Sequence, residues 1–142
     1  GSLHLGAKEK IENQIPRGLI LLAQMTSKGT LATGNYTTKT IEMARKNKEF
    51  VVGFIGAGSN PEELKKLADQ TEPEFILFTP GVKIDSTSDN LGQRYATPEM
   101  AINAGSDIII TGRGIYKSED PLKNAQLYRK QAWEAYIKRK NF

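Results

Sequence analysis

Phe50-Val-Val-Gly-Phe-Ile-Gly-Ala-Gly-Ser-Asn-Pro-Glu-Glu-Leu-Lys-Lys-Leu-Ala68 decides how this chain is built. Its opening, Phe50 to Ile55, is an apolar run of strand length. Asn60 then offers a capping side chain, Pro61 takes the first helical position, where no N–H is needed, and Glu62 and Glu63 put acids in the first turn. Leu64, Leu67 and Ala68 follow at i, i+3 and i+4, the spacing of one helical face. The stretch is one βα unit.

Three more runs have the same strand character: Gly18-Leu-Ile-Leu-Leu-Ala-Gln-Met25, Phe75-Ile-Leu-Phe-Thr79 and Asp107-Ile-Ile-Ile-Thr111. None alternates cleanly between apolar and polar, as a half-exposed antiparallel strand would. Near-continuous apolar runs fit parallel strands covered on both faces. The segments between them read as helices. Thr37 to Arg45 brings Ile41, Met43 and Ala44 near one face, and Thr97-Pro98-Glu99 repeats the helix-start signal before Met100-Ala101-Ile102. From about Pro121 to Lys140, Leu122, Ala125, Tyr128, Ala132, Trp133, Tyr136 and Ile137 form an apolar stripe along a closing helix. A leading helix, about Ala7 to Asn13, precedes the first strand.

The order is therefore one helix and then four βα units across residues 1–142, with no linker that marks a second domain. Right-handed crossovers place such strands in one parallel sheet. Two architectures compete: an open doubly wound sheet, or a segment of a (βα)8 barrel. The glycine fingerprint of a dinucleotide fold is absent after the first strand, where the chain reads Thr26-Ser-Lys-Gly29. A whole barrel takes about 250 residues, so four units amount to half of one. The loops after strands one and three are long and rich in Gly, Ser, Thr and Asp, as working loops at the C-terminal face tend to be.

Composition narrows the chemistry. The chain has no cysteine and a single histidine, His4, which excludes a disulfide scaffold, thiol catalysis and any two-histidine zinc motif. A length of 142 residues predicts a single domain, and 38% hydrophobic residues suffice for a core. The apolar runs are far shorter than the roughly 20 residues of a membrane span, and no secretory signal is visible, so neither a membrane nor an exported setting is expected. The net charge of +4 is spread along the chain except for Lys138-Arg139-Lys140, where cations on a helix tail complement the helix dipole. Aromatics interleaved with basic residues are not evident, so no nucleic-acid partner is expected.

The last two strands end in the most suggestive groups. Strand four leads into Thr111-Gly112-Arg113-Gly114-Ile115, and strand three leads into Thr79-Pro80-Gly81-Val82 and a polar loop ending Asp89-Asn-Leu-Gly-Gln-Arg-Tyr95. In a (βα)8 barrel the loops after the final two strands commonly form a phosphate site. Gly112 and Gly114 let backbone approach an anion, Arg113 offers a bidentate fork, and Gln93 and Tyr95 add neutral donors. The same glycines can simply make a tight βα turn while Arg113 pairs with a surface carboxylate. The hydroxyls of Thr26 and Ser27 suit a planar polar group such as a base, or equally the cap of the next helix. Lys28 reads as a solvated loop charge.

Several blocks together resemble one family. Leu22-Ala-Gln-Met-Thr-Ser-Lys-Gly-Thr-Leu-Ala-Thr-Gly34, Phe78-Thr-Pro-Gly-Val82, Asp89-Asn-Leu-Gly-Gln-Arg-Tyr95, Ser106-Asp-Ile-Ile-Ile-Thr-Gly-Arg-Gly114 and Tyr128-Arg-Lys-Gln-Ala-Trp-Glu-Ala-Tyr136 are similar to eukaryotic orotidine 5′-monophosphate decarboxylase. In animals that enzyme is the C-terminal domain of bifunctional uridine monophosphate synthase. The likeness covers nearly the whole chain, in order. It implies the C-terminal half of a (βα)8 barrel, a cytoplasmic carboxy-lyase that converts orotidine monophosphate to uridine monophosphate in de novo pyrimidine biosynthesis with no metal or organic cofactor. It also implies that Arg113 and the Gly112 region, with Gln93 and Tyr95, hold the 5′-phosphate. Thr26 falls where the family usually has a serine at the pyrimidine amide edge, and Pro80 lines the base pocket. Arg94 stands where glutamine is common, either adding a phosphate contact or pointing to solvent.

The family's reacting centre is a Lys–Asp–Lys–Asp array carried partly on an Asp-x-Lys-x-x-Asp motif, and this sequence contains no such motif. No catalytic residue is therefore assigned here; the chain holds the phosphate grip and part of the base pocket. A non-catalytic nucleotide- or phosphate-binding half-barrel is the alternative, and another phosphosugar barrel enzyme a third reading. A half-barrel also exposes two strand edges and an uncovered interior face. Association is expected, either as a homodimer or with a complementary N-terminal half-barrel.

Overall fold

A computed structural model describes residues 17–25, 27, 29–84 and 96–140. The anticipated leading helix lies outside these residues. Four strands, β1 (Leu19–Leu22), β2 (Val51–Ile55), β3 (Ile76–Thr79) and β4 (Ile108–Ile109), form one sheet, every neighbouring pair parallel, in the order β1-β2-β3-β4. They alternate with α1 (Asn35–Arg45), α2 (Pro61–Gln70), α3 (Pro98–Asn103), the single turn α4 (Arg113–Tyr116) and α5 (Pro121–Lys140). The strand order decides between the two architectures. A doubly wound sheet reverses direction partway, whereas strands laid down strictly in sequence with right-handed crossovers keep all helices on one face. This is a singly wound sheet of barrel type.

Burial follows from that winding. Toward the helices lie two core clusters, one with Ala23, Ile41, Ala44, Phe54, Leu67 and Leu77, the other with Leu64, Val82, Ala96, Ala101 and Tyr128. On the opposite face Ile20, Leu22, Val52, Ile76, Ile108 and Ile110 are all 38–43% exposed. The near-continuous apolar runs are thus covered on one face only, because nothing among the described residues lies against the other.

The β2 run shows how the two faces are sorted. Simple alternation would put Val52 and Phe54 on the same side. The β1–β2 register instead skips a residue, pairing Leu19 with Val51 but Ile20 with Gly53, and this bulge reverses the parity. Val52 stays on the bare face while Phe54 turns into the helix-side core, meeting Phe75 edge-on at 5.2 Å between ring centroids. Glycine is required at the bulge, since a Cβ on residue 53 would lie 2.0 Å from the Ile76 carbonyl oxygen.

The helix-start signals act as the sequence implies. Asn60 Oδ1 accepts the N–H groups of Glu62 and Glu63 at 3.1 and 3.3 Å, and Thr97 Oγ1 accepts that of Met100 at 3.2 Å. Other expectations need correction. β1 ends at Leu22, not Met25, because the N–H groups of Ala23 and Gln24 both turn onto the Ile55 carbonyl. β4 spans two residues at the open edge, shorter than the run 107–111. α1 starts at Asn35, before Thr37, and its Met43 is 55% exposed while Ile41 and Ala44 are buried. On α5 only Tyr128 and Ala135 are buried; Leu122 and Trp133 are 71% and 61% exposed. The reason is positional. α5 packs on its α3 side, while Ala132, Trp133 and Tyr136 line an apolar groove of about 550 Å³ beside β4 that no other element among the described residues fills.

Arg139 also departs from the helix-tail reading. Its guanidinium donates to the carbonyls of Ile102 at 2.6 Å and Ser106 at 2.9 Å and pairs with Asp107 at 3.0 Å, so it caps the end of α3 rather than of its own helix. Elsewhere the outer layer is tied by Arg45–Glu72 at 2.7 Å and Lys48–Glu74 at 2.6 Å; these hydrogen bonds hold both carboxyl groups below their ordinary range. Gly53→Ala is expected to lower the urea midpoint by an amount equivalent to about 1–3 kcal/mol, the usual cost of overpacking. Leu31→Ala, at a site 89% exposed, serves as the neutral control.

Candidate site at the C-terminal edge of the sheet

Because all strands run in the same direction, the segments that follow them collect at one edge. Specific contacts join each segment to the next. Gln24, just beyond β1, is 7% exposed; its amide nitrogen donates to the Glu63 carbonyl at 2.9 Å and its amide oxygen accepts the Ala57 N–H at 3.0 Å. The end of β1 is thereby fixed to the turn after β2 and to the first turn of α2. Tyr36 and Thr37 donate their hydroxyls to the carbonyls of Leu22 and Ala23 at 3.0 and 2.9 Å, which ties the same strand end to α1. The turns after β2 and β3 touch at Gly58, where a Cβ would come within 2.0 Å of the Pro80 carbonyl oxygen.

Pro80 is half-buried against this contact. Val82 bridges to Ala96, and Lys83 N–H donates to the Ala96 carbonyl at 3.0 Å, so the chain on the two sides of residues 85–95 is joined at its base. Gln93, Arg94 and Tyr95 lie outside the described residues, as do Thr26 and Lys28. Beyond β4, Ile110 N–H donates to the Thr79 carbonyl at 2.8 Å, and the chain then turns at Gly112 into α4. Arg113 is exposed at the head of α4, and its guanidinium has no hydrogen-bond or ion-pair partner among the described residues. The reading in which it pairs with a surface carboxylate thus finds no such pair there.

The two glycines flanking Arg113 have different reasons to be glycine. Among the described residues a Cβ at position 112 would make only an ordinary contact, with Tyr116 Cε1 at 3.6 Å, so packing does not demand glycine there. At position 114 it would lie 2.3 Å from the Tyr128 hydroxyl. Gly114 is therefore demanded by packing, not by anion approach as the sequence suggested.

The structure brings Pro80, Gly112 and Arg113 to one edge and adds Gln24, Gly58, Asn124 and Tyr128, which sequence reasoning did not nominate. A glutamine inside the otherwise apolar run 18–25 was the available signal for Gln24. Tyr128 was hidden in the helical stripe, where its ring and not its hydroxyl drew attention. A half-open notch of about 190 Å³ between the segments after β1 and β2 is lined by Gln24, Thr33, Asn60 and Glu63 and, among the described residues, by none of those nominated from sequence. Among the described residues no cluster of His, Asp or Glu side chains is arranged to hold a metal, and no helix is long and apolar enough to cross a membrane.

Comparison with known proteins agrees with this geometry. The profile described as the orotidine 5'-phosphate decarboxylase / HUMPS family matches residues 4–128. The chain is 50% identical over 124 residues to an orotidine 5'-phosphate decarboxylase of Aspergillus oryzae, covering 87% of this chain and 45% of that protein. It is 51% identical over 123 residues to one from Coccidioides immitis, covering 87% and 44%. Among solved structures, the orotidine 5'-phosphate decarboxylase of Pyrococcus horikoshii superposes with a TM-score of 0.64 at 26% identity, covering 81% of this chain and 50% of that one. The enzyme from Metallosphaera sedula, at 21% identity and a TM-score of 0.61, shares the fold. The chain thus spans about half the length of the relatives it matches.

Replacing Gln24 by Leu leaves the Ala57 N–H and the Glu63 carbonyl without their partner. A loss of about 1–3 kcal/mol per buried unsatisfied group is expected as a lower urea midpoint. A variant as stable as the parent would remove Gln24 from the scaffold of this edge.

Proposed function

Since this chain belongs to the orotidine 5'-phosphate decarboxylase / HUMPS family, we propose that it supplies the phosphate grip and part of the base pocket of a carboxy-lyase that converts orotidine 5′-monophosphate to uridine 5′-monophosphate in pyrimidine biosynthesis. The observation that carries this reading is Arg113, a guanidinium with no partner among the described residues, in the turn that follows the last strand, in a chain about half identical to curated decarboxylases. A planar guanidinium can hold two phosphate oxygens at once, and at Gly112, which has no side chain of its own, an anion can approach the backbone. Pro80 borders the pyrimidine. From the resemblance in sequence, Thr26 meets the amide edge of the base, and Gln93 and Tyr95, with Arg94 beside them, complete the phosphate contacts. The setting is the cytoplasm.

The role of this grip is energetic. A phosphate remote from the carboxylate that departs contributes binding energy which can be used to order the reacting centre, where a carbanion at C6 must be stabilised and protonated. No residue of this chain is assigned to that centre, consistent with the absence of an Asp-x-Lys-x-x-Asp motif from its sequence. That same absence favours, as a second reading, a half-barrel that binds the nucleotide without turning it over. Turnover of orotidine monophosphate by this chain alone, and with a complementary half-barrel added, separates the two.

In a complete barrel carrying this segment, Arg113→Ala is expected to remove about 2–5 kcal/mol of transition-state stabilisation, about 30-fold to 5,000-fold in kcat/KM. An unchanged kcat/KM would detach Arg113 from the phosphate.

The bare face of the sheet and the groove beside β4 are completed by four further βα units, supplied by a complementary half-barrel or by a second copy of this chain. Light scattering on the chain by itself should give a mass above that of a monomer, rising with concentration. A folded species that stays monomeric at all concentrations contradicts this.

A further inference from the structure

Arg113 stands on a helix of four residues, Arg113–Tyr116. So short a helix has no stability of its own in water, so the direction of the guanidinium must be set by whatever holds the turn from outside. α5 holds it at two points one helical turn apart. Asn124 Nδ2 donates to the Gly114 carbonyl at 3.1 Å. Tyr128 places its hydroxyl so close to Gly114 that any side chain there would collide with it.

The same hydroxyl reaches the neighbouring loop. Tyr128 is 4% exposed, and its oxygen accepts the N–H of Ile84, in the chain leaving β3, at 3.3 Å. Its ring is part of the core cluster with Val82, Ala96 and Ala101, against which Ile84 and Ile115 also pack. One side chain on the outer helix thus abuts both the turn after β4 and the loop after β3. Tyr128 approaches 114 through contact and 84 through a hydrogen bond, while Asn124 fastens the carbonyl of 114. A shift of either loop breaks one of these contacts.

We propose that Tyr128 and Asn124 are positioning residues, which lock the Gly112–Gly114 turn to α5 and to the loop after β3 and so aim Arg113 at the substrate phosphate. This inference rests on the reading of Arg113 given above. A guanidinium misplaced by about 1 Å loses much of the benefit of a preorganised contact, so the two side chains matter to affinity without touching the ligand.

The test compares inhibition constants of uridine 5′-monophosphate and uridine in a complete barrel carrying this segment; their ratio reports the phosphate contact. Tyr128→Phe, which keeps the ring, and Asn124→Ala should each weaken uridine monophosphate roughly tenfold and leave uridine unchanged. Gly114→Ala should do the same, and less so in the Tyr128→Phe background, where the hydroxyl that a Cβ would strike is gone. A ratio at the parent's value in both Tyr128→Phe and Asn124→Ala, or equal losses for the two ligands, overturns the positioning role. Arg113→Ala keeps the premise separate. If it leaves the ratio unchanged, the phosphate reading fails and this inference falls with it; if it collapses the ratio while Tyr128→Phe and Asn124→Ala do not, only the positioning role is lost.

Discussion

Every strand here bonds to the strand that precedes it in sequence and runs in the same direction. With crossovers of one hand, that order places all helices on one face and all strand C-termini at one edge. The core clusters, the exposed row from Ile20 to Ile110, and the gathering of Pro80, Gly112 and Arg113 at one rim follow from this constraint. It also leaves the structure open. A parallel sheet with helices on one side is stable as a barrel because closure turns the other side into a packed interior. Four strands leave that interior facing outward, and the groove along Trp133 and Tyr136 leaves the outer layer open beside β4 among the described residues.

At the rim, backbone segments that are far apart in sequence are fixed pairwise: Gln24 with Ala57, Gly58 with Pro80, Ile84 with Tyr128, and Tyr128 with Gly114. Each junction uses either a buried or part-buried hydrogen bond or a glycine that admits a close oxygen, the Pro80 carbonyl at 58 and the Tyr128 hydroxyl at 114. Such contacts are rigid because an alternative arrangement leaves a buried polar group unpaired or forces two atoms together. Arg113 and Gly112, proposed to meet the phosphate, are exposed, while Gln24 and Tyr128, which brace the rim, are buried. Loops positioned by a stiff scaffold are the usual arrangement where binding is required.

Much of this was legible in the residues. The start of α2 at Asn60-Pro61 and of α3 at Thr97-Pro98 could be read because a cap acts on N–H groups two or three positions away. The apolar runs located all four strands for a similar reason. The parity of β2 was not legible, since Phe54 reaches the core only through a bulge set by how Gly53 meets Ile20 and Ile76. Nor was the fate of the α5 stripe: its period marks Leu122 and Trp133 as apolar, but whether they are covered depends on what stands beside the helix. Arg139 was assigned to its own helix end and in fact caps α3, because the nearest unpaired carbonyls belong to another element.

By itself the sequence determined the alternation of strands and helices, the helix starts and the absence of an Asp-x-Lys-x-x-Asp motif. These depend on local chemistry and on the identity of residues. Only the tertiary structure decided the singly wound order, the bare face, the bulge in β2, and the separate duties of Gly112 and Gly114. Those depend on pairings such as Ile84 with Tyr128, 44 positions apart, and no pattern read along a single segment encodes them.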